Sequence, residues 1–178
     1  MKKALVLYWS ATGNTEKVAK AITKGLTHGG YAVTEKKISE AETESYFAYD
    51  LVCFGTPSIN WHPPVPVEKY LKAKFADHKN EGRVVPSAPK IGKNALLFCT
   101  FSGPHTGMNE AIPAVKYVGQ FFEHVGFDIV DEWYILSEFF NSPENNTQGR
   151  MGNICGLPSQ ADLSRIETAA CNLAARLL

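Results

Sequence analysis

Ala4-Leu5-Val6-Leu7-Tyr8-Trp9-Ser10-Ala11-Thr12-Gly13-Asn14-Thr15 decides how this chain of 178 residues folds. The first six residues are apolar almost without interruption, at the length of a strand buried on both faces. Past Gly13, the residues Val18, Ala19, Ile22 and Leu26 recur at helical spacing, so the chain passes from strand to helix within a few residues. The first N–H groups of a helix lack intrahelical partners and carry the positive end of its dipole. Ser10, Thr12 and Thr15 add hydroxyl donors, and Gly13 lets the backbone come close to an anion. A phosphate site is therefore predicted at this turn. No Gly-x-x-x-x-Gly-Lys-Ser/Thr occurs, which argues against a Mg-nucleotide loop. No Gly-x-Gly-x-x-Gly stands here either, which argues against a dinucleotide pyrophosphate. A hydroxyl-rich turn without Arg or Lys suits a terminal phosphate monoester.

Outward from this turn, apolar and amphipathic runs alternate. Tyr31–Ile38 reads as a less buried strand close to an edge, and Asp50–Gly55 and Ala95–Thr100 as short buried strands. Phe127–Leu136 reads as a last strand. Helices are predicted from Pro66 to about Asp77, from Glu110 to Val125, and from Ser159 to Leu178 with Ser159 as its cap. Such alternation predicts an α/β fold, one domain over residues 1–178, with an open, mostly parallel sheet and helices on both faces. In such sheets ligands bind beyond the carboxyl ends of the strands, at the point where strand order reverses. The loops after Trp9, Gly55 and Thr100 should then form one site.

The second of these loops runs Gly55-Thr56-Pro57-Ser58-Ile59-Asn60-Trp61-His62. It supplies hydroxyls at Thr56 and Ser58, and at Trp61 a side chain suited to stacking on a flat ring. The third runs Thr100-Phe101-Ser102-Gly103-Pro104-His105-Thr106-Gly107-Met108-Asn109-Glu110, with Thr100 and Ser102 just past a strand end. His105 fits a solvated loop residue or a proton donor beside the ring.

Ser10-Ala11-Thr12-Gly13-Asn14-Thr15 matches Thr/Ser-x-Thr-Gly-x-Thr at every fixed position and resembles the phosphate loop of the flavodoxin-like superfamily. Gly-Thr-Pro-Ser after the third strand and Thr-x-Ser-Gly…His-x-Gly…Glu after the fourth look like that superfamily's second and third flavin loops. The latter is closest to the branch containing NAD(P)H:quinone reductases of multimeric flavodoxin type. The resemblance spans about three quarters of the chain. It implies a three-layer sandwich with a five-stranded parallel sheet in the order 2-1-3-4-5, and non-covalent FMN. Position by position, Ser10, Thr12, Gly13, Asn14 and Thr15 would hold the phosphate. Thr56, Pro57, Ser58, Trp61, Thr100, Phe101, Ser102 and Gly103 would border the isoalloxazine.

Two functions follow from the resemblance: an FMN-binding redox protein that carries electrons between partner proteins, or an NAD(P)H-dependent quinone or flavin reductase. Lys+Arg and Asp+Glu balance at 18 each, so nucleic acid and anionic membrane are not expected partners. Carriers resembling flavodoxin usually present an acidic surface, from which this balance departs. Hydrophobic residues make up 44% and charged residues 20%, an ordinary globular composition. Met1-Lys2-Lys3 leads straight into a strand, and no apolar run reaches membrane-spanning length, so a cytoplasmic location is expected. Cys53, Cys99, Cys155 and Cys171 form no Cys-x-x-Cys pair, so neither a metal site nor a redox dithiol is predicted. Two longer insertions remain. Lys74–Lys93 follows a helix and should emerge away from the site. Glu138–Pro158 follows a strand and should emerge beside it, with Phe139 and Phe140 bordering the flavin or forming a subunit contact.

Overall fold

The computed structural model describes residues 1–177. Five strands, β1 (Lys3–Tyr8), β2 (Ala32–Lys37), β3 (Leu51–Pro57), β4 (Asn94–Phe101) and β5 (Asp128–Leu136), form one sheet in the order β2-β1-β3-β4-β5. Every neighbouring pair is parallel, with one irregularity between β4 and β5 at Ala95/Leu96. The helices are α1 (Asn14–His28), α2 (Val65–Asn80), α3 (Ile112–His124), the short α4 (Pro143–Thr147) and α5 (Gln160–Leu177).

Period-two alternation along the buried strands divides the core between two faces. Leu5, Leu7, Val52, Phe54, Leu97 and Cys99 pack beneath α2 and α3, against Val67, Leu71, Val115, Val118 and Phe122. Their neighbours Val6, Cys53, Leu96 and Phe98 pack on the other face against Val18, Ile22 and Leu26 of α1 and Ala170 and Leu173 of α5. Helices α1 and α5 touch closely because Gly25 has no side chain: a Cβ there would lie 2.2 Å from the Glu167 carbonyl oxygen. Cys53 and Cys99 are fully buried, and burial pushes the Cys99 thiol up to about 12. Both are packing residues, as the apolar runs around them suggest.

The open edges are β2 and β5. Each carries charges, Glu35, Lys36 and Lys37 on one and Asp128, Asp131 and Glu132 on the other, which discourage pairing with another chain. Tyr31–Ile38 therefore lies at the edge itself. Helix α2 runs to Asn80, so only residues 81–93 of the first insertion are loop. That loop crosses the amino-terminal end of the sheet, held where the Ile91 N–H donates to Gly126 O (3.1 Å) and Lys93 Nζ to Tyr49 O (2.9 Å). Between Thr106 and α3 the chain makes a 3-10 turn at Gly107–Glu110, and the α-helix starts only at Ile112 with Pro113 in its first turn. The α5 cap is as expected: Ser159 Oγ accepts from the Asp162 N–H (3.2 Å) while Asp162 accepts from the Ser159 N–H (2.8 Å). Leu178, the expected last residue of this helix, lies outside the described residues. Among the described residues, no helix is long and apolar enough to cross a membrane, and no group of His, Cys, Asp and Glu is placed to hold a metal ion.

Candidate functional site

At the carboxyl end of the sheet, the turn after β1 brings Gly13 to the N-cap of α1 in a left-handed conformation (φ 93°, ψ −12°). Glycine adopts this at little cost. The cap makes no side-chain hydrogen bond, so the first N–H groups of α1 stay available at the positive end of the helix dipole. The Gly13 N–H itself donates to Ser10 Oγ (3.0 Å), which closes the turn. Thr15 is 1% exposed, and its hydroxyl shares a 2.8 Å hydrogen bond with Thr100 Oγ1 at the end of β4. That bond ties the first and third loops together beneath the cleft.

The second loop is anchored where the Ser58 N–H donates to Thr100 O (2.9 Å). It then makes a tight two-residue turn in which Ile59 and His62 exchange backbone hydrogen bonds (2.9 and 3.1 Å). Asn60 (φ 49°) and Trp61 (φ 64°) occupy its corners, both left-handed, as a primed hairpin turn requires. Such geometry is costly for tryptophan and tends to mark functional loops. Its ring is left 61% exposed at the rim. The third loop is folded around Glu110, whose Oε1 accepts from the N–H groups of His105 (2.8 Å) and Thr106 (2.6 Å).

These loops enclose two adjoining compartments. An inner one of about 210 Å³ is lined by Thr12, Asn14 and Thr15 on one side and Pro57, Ser58, Thr100, Phe101 and Ser102 on the other. An outer one of about 300 Å³ is lined by Trp61, Gly103, His105 and Glu110 among others. Ser58, Ile59, Phe101, Ser102 and Phe139 line both. Among the described residues no Lys or Arg lines either compartment, and the carboxylates of the lining residues Glu110 and Glu138 are engaged by backbone N–H groups. A larger cavity of about 650 Å³ lies between α2 and residues 37–42. It touches the first loop only through Trp9 and Ser10, and none of the second or third.

Most residues named from the sequence line these compartments; Ser10, Gly13 and Thr56 line neither, Gly13 serving as the backbone turn at the helix start. Thr56 is 1% exposed, lines neither compartment and donates its hydroxyl to Pro57 O (3.0 Å). The reason is that β3 continues through Pro57, so alternation turns Thr56 inward. Ser10 lines the neighbouring cavity and serves the turn through its bond to Gly13. Phe101 is only 5% exposed, a wall of the cleft more than a free stacking plate. His105 lines the outer compartment. The lining residues that the sequence did not single out are Ala11, Ile59, Asn60, Pro104, Ser137 and Asn145, while Glu138 belongs to the excursion expected beside the site. Phe139 and Phe140 do border the cleft.

The sequence model of the flavodoxin family matches residues 6–165. A flavodoxin of Clostridium beijerinckii is 36% identical over 54 residues, 30% of this chain and 39% of that protein. Aligned segments cover between 12 and 39% of the lengths of the first curated relatives. Among solved structures, a flavodoxin from the domain Archaea superposes with a TM-score of 0.68 at 19% identity, covering 98% of both chains. Flavodoxin 2 from Bacillus cereus gives 0.69 at 17% identity, covering 99% of each. At these identities the structural likeness speaks for the fold.

Proposed function

This chain belongs to the flavodoxin family, and from that premise we propose that it transfers electrons between redox partners through one non-covalently bound FMN. The observation that carries the proposal is the uncapped start of α1, with Gly13 left-handed and no side chain closing the N-terminus. A phosphate monoester fits it: the available groups are backbone N–H donors and hydroxyls, and a dinucleotide would ask for a glycine-rich pyrophosphate turn that is missing. A Cβ on Gly13 would meet nothing within 4 Å beyond its chain neighbours, so the turn faces open space.

In this proposal Thr12, Gly13, Asn14 and Thr15 hold the phosphate, with Ser10 shaping the turn. Pro57, Ser58, Thr100, Phe101, Ser102 and Gly103 border the isoalloxazine, and Trp61 covers it from the rim. Bound FMN supplies the electron chemistry. The chain's own contribution is to orient the ring between the second and third loops, to exclude water from its inner side, and to leave its outer edge open to a partner. A cleft without cations disfavours negative charge arriving on the ring. Ile59, Trp61, Phe139 and Phe140 are large apolar side chains exposed around the cleft. They give a partner an apolar rim, in keeping with the chain's zero net charge.

Titrating the apoprotein with FMN, followed by oxidation of NADH and NADPH with and without a quinone, tests the proposal. Stoichiometric quenching of FMN emission is expected, with turnover no faster than free FMN. A protein that leaves FMN emission unchanged refutes the cofactor assignment. Turnover well above free FMN makes it a reductase instead.

A further inference from the structure

We propose that residues 137–140, just past β5, form a preformed fourth wall of the cofactor cleft, and that Asn146 is the positioning residue that holds this wall in place. The inference rests on the FMN assignment above and extends it to a segment outside the three loops.

Residues 138–158 form a long excursion with one short helix, yet the backbone of 137–139 is pinned on all sides. The Ser137 N–H donates to Phe101 O (2.8 Å) and Ser102 Oγ donates to Ser137 O (2.8 Å), which prolongs the β4–β5 pairing onto the third loop. The Glu138 N–H donates to Leu157 O (3.0 Å), and the Glu138 carboxylate accepts from the Gly156 N–H (2.8 Å). At Phe139 no strand is available, and a side chain replaces it. Asn146 Oδ1 accepts from the Phe139 N–H (2.6 Å), and Asn146 Nδ2 donates to Phe139 O (2.9 Å). A primary amide is the side-chain group that carries donor and acceptor side by side, so one residue satisfies both backbone groups.

Asn146 is itself fixed. It is 8% exposed within α4, and its carbonyl accepts from the N–H of the buried Ile154 (2.8 Å). The Arg150 N–H donates to Pro104 O (2.7 Å), which docks the excursion on the third loop.

This clamp delivers two phenylalanines to the cleft. Phe139 lines both compartments, at their junction, and Phe140 lines the inner one together with Ala11 and Thr12. Asn14 Nδ2, on the first turn of α1, lies 3.5 Å from Glu138 O, so the wall reaches the helix start. Phe139 and Phe140 are nevertheless 42% and 66% exposed. An exposed aromatic ring carried at Phe139 on a backbone this firmly bonded, with Phe140 next to it, is placed for a ligand to cover. Standing at the junction of the compartments, Phe139 meets the part that FMN and riboflavin share, and not the phosphate.

Flavin-emission titrations of the apoprotein with FMN and with riboflavin test this, together with FMN dissociation rates. Phe139→Ala is expected to raise Kd for both flavins about three- to tenfold, the scale of one aromatic contact, with the faster dissociation carrying the change. The ratio of the two Kd values should stay constant. Asn146→Ala should reproduce that pattern, because the freed Phe139 no longer holds its place. A Phe139→Ala protein whose FMN Kd is within twofold of the parent overturns the wall, as does weakening confined to FMN. Lower thermal stability in Asn146→Ala with an unchanged Kd overturns the positioning role. Should Asn146→Ala fail to fold, Phe139→Ala, a change at a half-exposed side chain, decides. A parent protein that binds neither flavin refutes the FMN assignment itself.

Discussion

Replacing Gly13 with alanine separates the turn's conformation from its ligand chemistry. Gly13 sits at φ 93° with nothing beyond its chain neighbours within 4 Å of where a Cβ would stand, so Gly13→Ala meets no tertiary clash in the apoprotein. The cost there is the left-handed penalty of an L-residue, about 1–2 kcal/mol. For a domain of this size each kcal/mol lowers Tm by about 2–4 °C, so an apoprotein shift of about 2–8 °C is expected. FMN adds a second loss. Alanine relaxes toward negative φ and turns the N–H groups of Asn14 and Thr15 away from a common point. Each hydrogen bond to a charged group is worth about 1.5–3 kcal/mol, and every 1.4 kcal/mol is about tenfold in Kd. Losing one bond therefore weakens FMN by about ten- to a hundredfold. Riboflavin, lacking the phosphate, should bind the variant and the parent alike. The assay is a scan of apoprotein unfolding followed by parallel titration of the two flavins. If Tm falls as stated while both Kd values stay put, or if both rise together, the phosphate does not sit on this turn.

The Thr15–Thr100 bond is buried, so Thr15→Val strands the Thr100 hydroxyl and should cost about 1–3 kcal/mol in urea unfolding. The double variant Thr15→Val/Thr100→Val should recover much of this, and a recovery of nothing would mean the hydroxyl pair is not the source. His78 is 4% exposed among Tyr46, Phe47 and Phe121, and burial lowers its pKa from the ordinary value of 6.5. The Glu81 carboxylate opposes that shift, while Lys74 and Arg83 add to it. The unfolded chain thus takes up this proton first. Stability is complete above about pH 6.5 and declines as pH falls from there through the lower folded value. Tm measured from pH 7.5 to 5 should drop in the parent and stay flatter in His78→Leu. An equal drop in both would assign the effect to other groups. Glu16, Glu44 and Glu81, whose pKa values are lowered by their lysine and arginine partners, add a separate loss below about pH 4.5.

The sheet and its two faces were legible because they are local and periodic. Leu5 and Val6 announce opposite faces of β1 by their neighbours alone, and the strand-to-helix switch at Gly13 needs only a dozen residues to read. The convergence of three loops also followed, since parallel strands must all end on one side. What the sequence did not carry was the exact end of each strand. Thr56 and Thr100 both read as loop hydroxyls, but β3 and β4 run on through Pro57 and Phe101, and that extension turned Thr56 into the core and left Thr100 only 3% exposed. Asn146 was invisible for a different reason. Its role depends on α4 folding back across the third loop, and no spacing between residues 139 and 146 encodes an amide meeting a backbone. Glu110 had a signal, a carboxylate at the end of a glycine-rich loop, yet its bonds to His105 and Thr106 are a feature of the folded turn.

The loop of residues 81–93 has a practical meaning because it crosses the end of the sheet farthest from the cleft. Ser87 sits there exposed, in a segment that none of the cleft's walls touches. With the exposed native Cys155 replaced, anchoring the molecule to an electrode or a bead through a thiol introduced at Ser87 leaves the cleft facing the bulk solution. A dissolved flavin then reaches an immobilised sample as it reaches a free one.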